Sequence, residues 1–164
     1  MYVAGSDAET TVIPRSELSI LSLDAHSDVE VLEALASRAE AAGWVRPSFR
    51  EAVLQRERTF PTGLPTSTPV AIPHADVEHV LKQGLGVALL KHPVKFGELG
   101  GADTSVEVQA AILLLVTEPE RQSDLLMRLV NVFQQGDWLD TLRHASDVSE
   151  LAELFAGLLA QHSG

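Results

Sequence analysis

The stretch VEVQAAILLLVT, Val106 to Thr117, constrains this chain more than any other segment. A short apolar run of this kind reads as a strand, and its near lack of polar interruption places it at the centre of a sheet. Two shorter runs, VAI (Val70 to Ile72) and LGVALL (Leu85 to Leu90), read as buried strands beside it. ELSILSLDA supplies a further short strand. The segments around these are helical in pattern. In SDVEVLEALASRAEAAGW, the residues Val31, Leu32, Leu35, Ala36 and Ala39 share one helical face. Ser27 or Asp28 caps that helix, and Gly43 stops it. PSFREAVLQRER opens a second helix at Pro47 that ends near Arg58. Three more follow in PERQSDLLMRLVNVFQQ, DWLDTLRHA and DVSELAELFAGLLAQ, the last capped by Asp147 with Glu150 in capping-box position. TFPTGLPTSTP and HPVKFGELGGADTS read as loops.

This order predicts an α/β (α+β) chain, with a single-domain mixed β-sheet of about four to five strands flanked by helices. No internal repeat and no linker divides it. Residues 1–16 read as an N-terminal tail or edge strand, and 17–162 as one domain.

Charge narrows the partners. Lys and Arg total 12 against 23 Asp and Glu, a formal net charge of −11. Such a balance argues against nucleic acid or an anionic membrane surface as the main partner. An anionic ligand then needs a local cation. The chain has no cysteine, which removes disulfides and thiol catalysis. No apolar run reaches eighteen residues and no leader pattern opens the sequence, so the expectation is a soluble cytoplasmic protein without membrane insertion.

The chemistry concentrates in VAIPHADVEHV, Val70 to Val80. A strand leaves the core, and Pro73 stiffens its end. His74 follows on a fixed stem and is expected to be held outward, partly exposed. A neutral imidazole there offers one ring nitrogen as a nucleophile; a turn histidine is the alternative. His79 lies five residues on, with Asp76 and Glu78 nearby. That spacing matches no established metal motif, and a turn histidine is the commoner case. Arg56 precedes the Pro/Gly/Thr-rich loop. The helix dipole alone explains an arginine there, but its guanidinium also suits a phosphate, with Arg58 as competitor. Thr62, Gly63, Thr66, Ser67 and Thr68 offer hydroxyl and N–H donors. Their loop lacks the Gly-Lys-Thr/Ser ending of a Walker sequence.

RER followed by TFPTGLPT and VAIPHADVEHV resembles the enzyme IIA domains of the sugar phosphotransferase system, of the mannitol/fructose class and its galactitol-type branch. The resemblance runs from about residue 17 to 160. It implies the mannitol/fructose-type enzyme IIA fold and a phosphoryl relay in which a histidine takes the group from HPr and passes it to a IIB component. Carried onto this chain, it makes His74 the phosphorylated nucleophile and Arg56 the residue steadying the phosphoryl group. Thr62 and Gly63 become phosphate-binding, and His79 an accessory. Mannitol and fructose members carry a second histidine where this chain has Gln122, which favours the galactitol type. Such a relay between protein side chains requires neither metal nor cofactor. Two alternatives stay open: a regulatory protein signalling through its phosphorylation state, and a metal- or ligand-binding module.

Overall fold

A computed structural model describes residues 12–161. The proposed tail, residues 1–16, lies mostly outside them. Pro14 forms a single parallel bridge to Leu85, with Arg15 N–H donating to the Leu85 carbonyl at 2.9 Å.

The sheet has five strands in the order β1-β4-β5-β3-β2. They are β1 (Ile20–Leu23), β2 (Gly63–Leu64), β3 (Val70–Ala71), β4 (Gly84–Gly97) and β5 (Ser105–Leu115). β1 runs parallel to β4, β4 antiparallel to β5, β5 parallel to β3, and β3 antiparallel to β2. The sheet is therefore mixed, and β5, from the segment that opens this account, is its central strand. Ala111, Leu113 and Leu115 join one core; Ala110, Ile112 and Leu114 join the other. Residues Ala110 to Leu115 are covered on both faces and have no polar side, which is why this half of the strand does not alternate.

α1 (Asp28–Ala41) and α2 (Phe49–Thr59) cover one face of the sheet, and α3 (Pro119–Phe133), α4 (Trp138–Arg143) and α5 (Val148–Gln161) the other. Ser27 Oγ accepts from Glu30 N–H at the start of α1. Gly43, at φ 81, ends that helix while Trp44 N–H reaches back to the Ala39 carbonyl at 2.9 Å. At α5, Asp147 caps Glu150 N–H, but the Glu150 carboxylate accepts from Ser146 rather than closing a box on Asp147.

Two expected loops contain strand. His92–Gly97 continues β4, because Val94 to Gly97 pair with Ser105 to Val108 in one long hairpin. Val94 and Phe96 are buried on its inner face, whereas Lys91, His92 and Lys95 are exposed and hide the alternation. The second is Gly63–Leu64, which forms β2 against β3. Gly63 must be glycine there, since a Cβ would stand 2.6 Å from the Gly97 carbonyl oxygen and 2.7 Å from Val106 Cγ2. Gly63→Ala is expected to lower stability by about 1–3 kcal/mol, the usual cost of overpacking a tight site. Urea unfolding checks this; an unchanged midpoint refutes the contact.

Candidate functional site

Everything that positions the site converges on the carboxyl end of β3. Ile72, Pro73 and His74 continue the chain past the strand, and the Pro73 carbonyl accepts from Leu114 N–H of β5 at 3.1 Å. His74 Nδ1 lies 2.8 Å from the Ile72 carbonyl oxygen. A carbonyl only accepts, so Nδ1 carries the proton and the Nε2 lone pair is left free. Burial pushes the His74 pKa below its ordinary value. The Ile72 hydrogen bond opposes this, the Arg56 charge adds to it and Asp76 opposes it. The ring is therefore neutral at physiological pH.

His74 does not stand outward as the stem alone suggests. It is 7% exposed, on the wall of a cavity of about 390 Å³. The cavity wall is mostly apolar, formed by Phe60, Ile72, Leu99, Leu126, Met127 and Val130, with Arg56, Thr62 and Asn131 as its other polar members. Access runs through the rim, where Phe60, Leu99 and Met127 are 60%, 53% and 70% exposed. Nothing in the sequence pattern of single segments assembles this wall. Its signal is in α3, where the buried stripe is Leu125, Leu129, Val132 and Phe133, while Leu126, Met127 and Val130 extend the apolar surface beyond it.

Arg56 reaches the cavity from the last turn of α2. Its Nη1 meets Asp76 Oδ1 at 3.2 Å, and its guanidinium lies 5.4 Å from the centre of the Phe60 ring. Its Nε is buried without a hydrogen-bond partner. Arg58 points elsewhere, donating to Gln55 at 2.7 Å, so of the two candidates Arg56 faces His74's cavity.

Thr62 behaves differently from the donor expected of it. Its N–H and its hydroxyl both donate to Glu57, at 2.8 and 2.9 Å, and its oxygen accepts from Ile72 N–H at 3.1 Å. Those groups are occupied beneath the histidine, not offered into the cavity. Gly63 belongs to the β2–β3 ladder. Thr66 bonds the Thr68 carbonyl within its own turn. His79 accepts or donates at Ser48 Oγ, 2.8 Å from its Nδ1. It lines a second, shallower recess with Asp76, Phe60 and Arg56; Arg56 and Phe60 also line the cavity of His74, which His79 does not. Gln122 Nε2 donates to the Ala75 carbonyl at 3.3 Å, next to His74 in the chain. Among the described residues, no group of three His, Cys, Asp or Glu side chains is placed to hold a metal ion.

Comparison with known proteins places the chain in a family. The family model for the "Phosphoenolpyruvate-dependent sugar phosphotransferase system, EIIA 2" matches residues 13–157. The chain belongs to this EIIA type 2 family. It is 32% identical over 114 residues to the galactitol-specific EIIA component of Escherichia coli strain K12, an alignment covering 69% of this chain and 75% of that one. The crystal structure of IIA mannitol from E. coli superposes with a TM-score of 0.70 at 28% identity, covering 87% of this chain and 98% of that one. The E. coli mannitol IIA in complex with phosphorylated IIB gives 0.70 at 26% identity, covering 90% and 99%. As an EIIA component, the chain is a phosphotransferase acting through a phosphohistidine, and a phosphoryl carrier of a sugar phosphotransferase system. No helix among the described residues is long and apolar enough to cross a membrane.

Glu57, the middle residue of the RER stretch, receives no role from sequence reasoning. It follows Phe49 and Val53 at intervals of four, on the buried stripe of α2, so its carboxylate enters the core. Burial raises its pKa from 4.5 to about 7; the two Thr62 bonds lower it, the Asp28 charge raises it and Arg56 lowers it. Between these values the folded chain binds the extra proton, so stability falls as pH rises through 4.5 to 7. The shift amounts to about 3 kcal/mol. His74 acts oppositely: its depressed pKa costs stability as pH falls below 6.5. Glu57→Gln is therefore expected to reduce the stability lost between pH 4.5 and 7.5 relative to the parent, by up to about 3 kcal/mol. Urea unfolding at the two pH values measures it, and an identical difference in parent and variant refutes the raised pKa.

Proposed function

We propose that His74 is the phosphorylated residue, that it takes its phosphoryl group from HPr, and that it passes the group to a IIB component during uptake of a galactitol-like sugar or polyol. The observation that carries this reading is the imidazole itself. Its Nδ1–H is tied to the Ile72 carbonyl at 2.8 Å, which leaves Nε2 free, and His74 and Arg56 line the same cavity.

The step balances without a cofactor. Nε2 attacks phosphorus, the new P–N bond forms, and the bond to the HPr side chain breaks. The proton on Nδ1 stays in place, and the Ile72 carbonyl stabilises the positive charge that develops on the ring. Arg56 turns its donors from Asp76 onto the phosphoryl oxygens. Transfer to IIB is the reverse attack by the acceptor. The exposed apolar rim gives each partner a surface on which to dock and exclude water. His79 is an accessory that lines the recess shared by Asp76 and Arg56. Gln122 occupies the place of the second histidine and acts on the backbone beside His74. The galactitol-type assignment rests on the relative of that specificity and on Gln122, and the cytoplasmic location on the site of the partners.

Phosphoenolpyruvate with enzyme I and HPr is expected to place one acid-labile phosphoryl group on the chain, and a galactitol-type IIB component to remove it. A chain that takes no phosphate from phospho-HPr overturns the proposal; discharge only to a mannitol-type IIB overturns the sugar class alone.

A further inference from the structure

Glu57 takes no part in the phosphoryl step, yet it anchors a continuous hydrogen-bonded chain to the nucleophile. Its carboxylate accepts both donors of Thr62. With its proton directed at Glu57, the Thr62 oxygen presents lone pairs to Ile72 N–H at 3.1 Å. The residue so held offers its carbonyl to His74 Nδ1 at 2.8 Å. Glu57 is 5% exposed and Thr62 equally buried, so water does not substitute for a missing member. The chemistry also bears on the residue type. Thr62 N–H lies 2.8 Å from Glu57 Oε2, and the hydroxyl lies 2.9 Å from Oε1 and 3.2 Å from Oε2. An amide that keeps its oxygen on Thr62 N–H turns the hydroxyl's nearer acceptor into a donor and leaves only the longer contact.

We propose that Glu57 is a positioning residue for His74, acting through Thr62 and Ile72 to hold the imidazole in the tautomer with its proton on Nδ1. Ile72 N–H has no strand partner past the end of β3, so the Thr62 hydroxyl replaces the ladder there. Weakening Thr62 frees the Ile72 backbone to rotate, and the carbonyl that fixes the ring moves with it. The geometry that keeps Nε2 unprotonated is thus set about two side chains away from the reacting atom. This inference builds on the proposal that His74 is the nucleophile, but its main readout does not depend on phosphoryl transfer.

That readout is the imidazole nitrogen spectrum of the unphosphorylated chain, labelled with 15N histidine. The parent is expected to show His74 as the single Nδ1–H tautomer. Glu57→Gln is expected to show averaging toward the Nε2–H form, with phosphoryl uptake from phospho-HPr slowed roughly ten-fold or more, in the range typical for a misplaced acid–base or nucleophilic group. Thr62→Val should shift the tautomer likewise, and the double variant should add nothing to the larger single effect, as groups acting in one chain are non-additive. Unchanged His74 nitrogen shifts in a folded Glu57→Gln chain overturn the proposal. Should that variant not fold, Thr62→Val decides alone, an unchanged tautomer again overturning it. A parent that shows the single tautomer but takes no phosphate from phospho-HPr would instead remove the functional reading and leave the positioning role standing.

Discussion

His74→Ala is expected to reduce phosphoryl labelling from phospho-HPr to background, with the fold retained. The ring makes one hydrogen bond, to Ile72, and does not belong to either apolar cluster, so its removal opens space at the cavity wall without cutting into a core. Nothing else in the cavity takes over. Thr62 is occupied by Glu57, and Asn131 is an amide with no nucleophilic lone pair of comparable strength. His79 opens onto the neighbouring recess and does not line this cavity. His79→Ala should slow labelling by only a few-fold, since it acts on a residue that acts on the phosphoryl group. The measurement is incorporation of phosphate from labelled phosphoenolpyruvate, with acid lability as the mark of a phosphoramidate. Full labelling of the His74 variant would move the nucleophile elsewhere. Equal loss in the two variants would make His79 a full member of the site.

Arg56→Ala ranks second in size. Loss of a donor preorganised toward developing charge slows such reactions by about 10²–10³-fold, and this arginine has one buried Nε with no other partner to lose. The chain's net charge of −11 sharpens the effect. A phosphoryl group entering this field needs a cation at contact distance, and Arg56 is the cation lining the cavity. Arg56→Lys should recover part of the rate, because it restores the charge but not the planar fork. Single-turnover transfer at saturating phospho-HPr separates this from weakened docking. A loss confined to subsaturating donor would assign Arg56 to partner binding and not to the phosphoryl group.

Much of this arrangement was legible in the chain. Four of the five strands, the three helices of the second layer and the central place of Val106 to Thr117 follow from periodicity, because a strand buried on both faces and an amphipathic helix leave different patterns. β2 escaped because two residues carry no period, and the distal half of β4 because lysine and histidine on the solvent side disguised it. At the site, the stem of His74 and the arginine were visible as a motif. The burial of the ring was not, since the rim that covers it comes from Phe60, Leu99 and Met127, which are distant in sequence. Nor was the engagement of Thr62, which only its folded proximity to Glu57 decides. A carboxylate falling in step with Phe49 and Val53 was the available signal, and a charged residue on an apolar stripe of a helix merits that attention.

The two cores lie on opposite faces of the sheet, and the cavity is walled from both sides. Arg56, Glu57 and Thr62 hold the histidine from the layer of α1 and α2, whereas Leu126, Met127 and Val130 come from α3 in the other layer. Met127 is 70% exposed and is no member of either core. The nucleophile's supports and one part of the exposed rim thus come from different layers of one molecule, while Phe60 and Leu99 complete the rim. Substitution at the exposed Met127 can therefore reshape the rim without touching Arg56, Glu57 or Thr62, so one scaffold can present different docking surfaces around the same histidine.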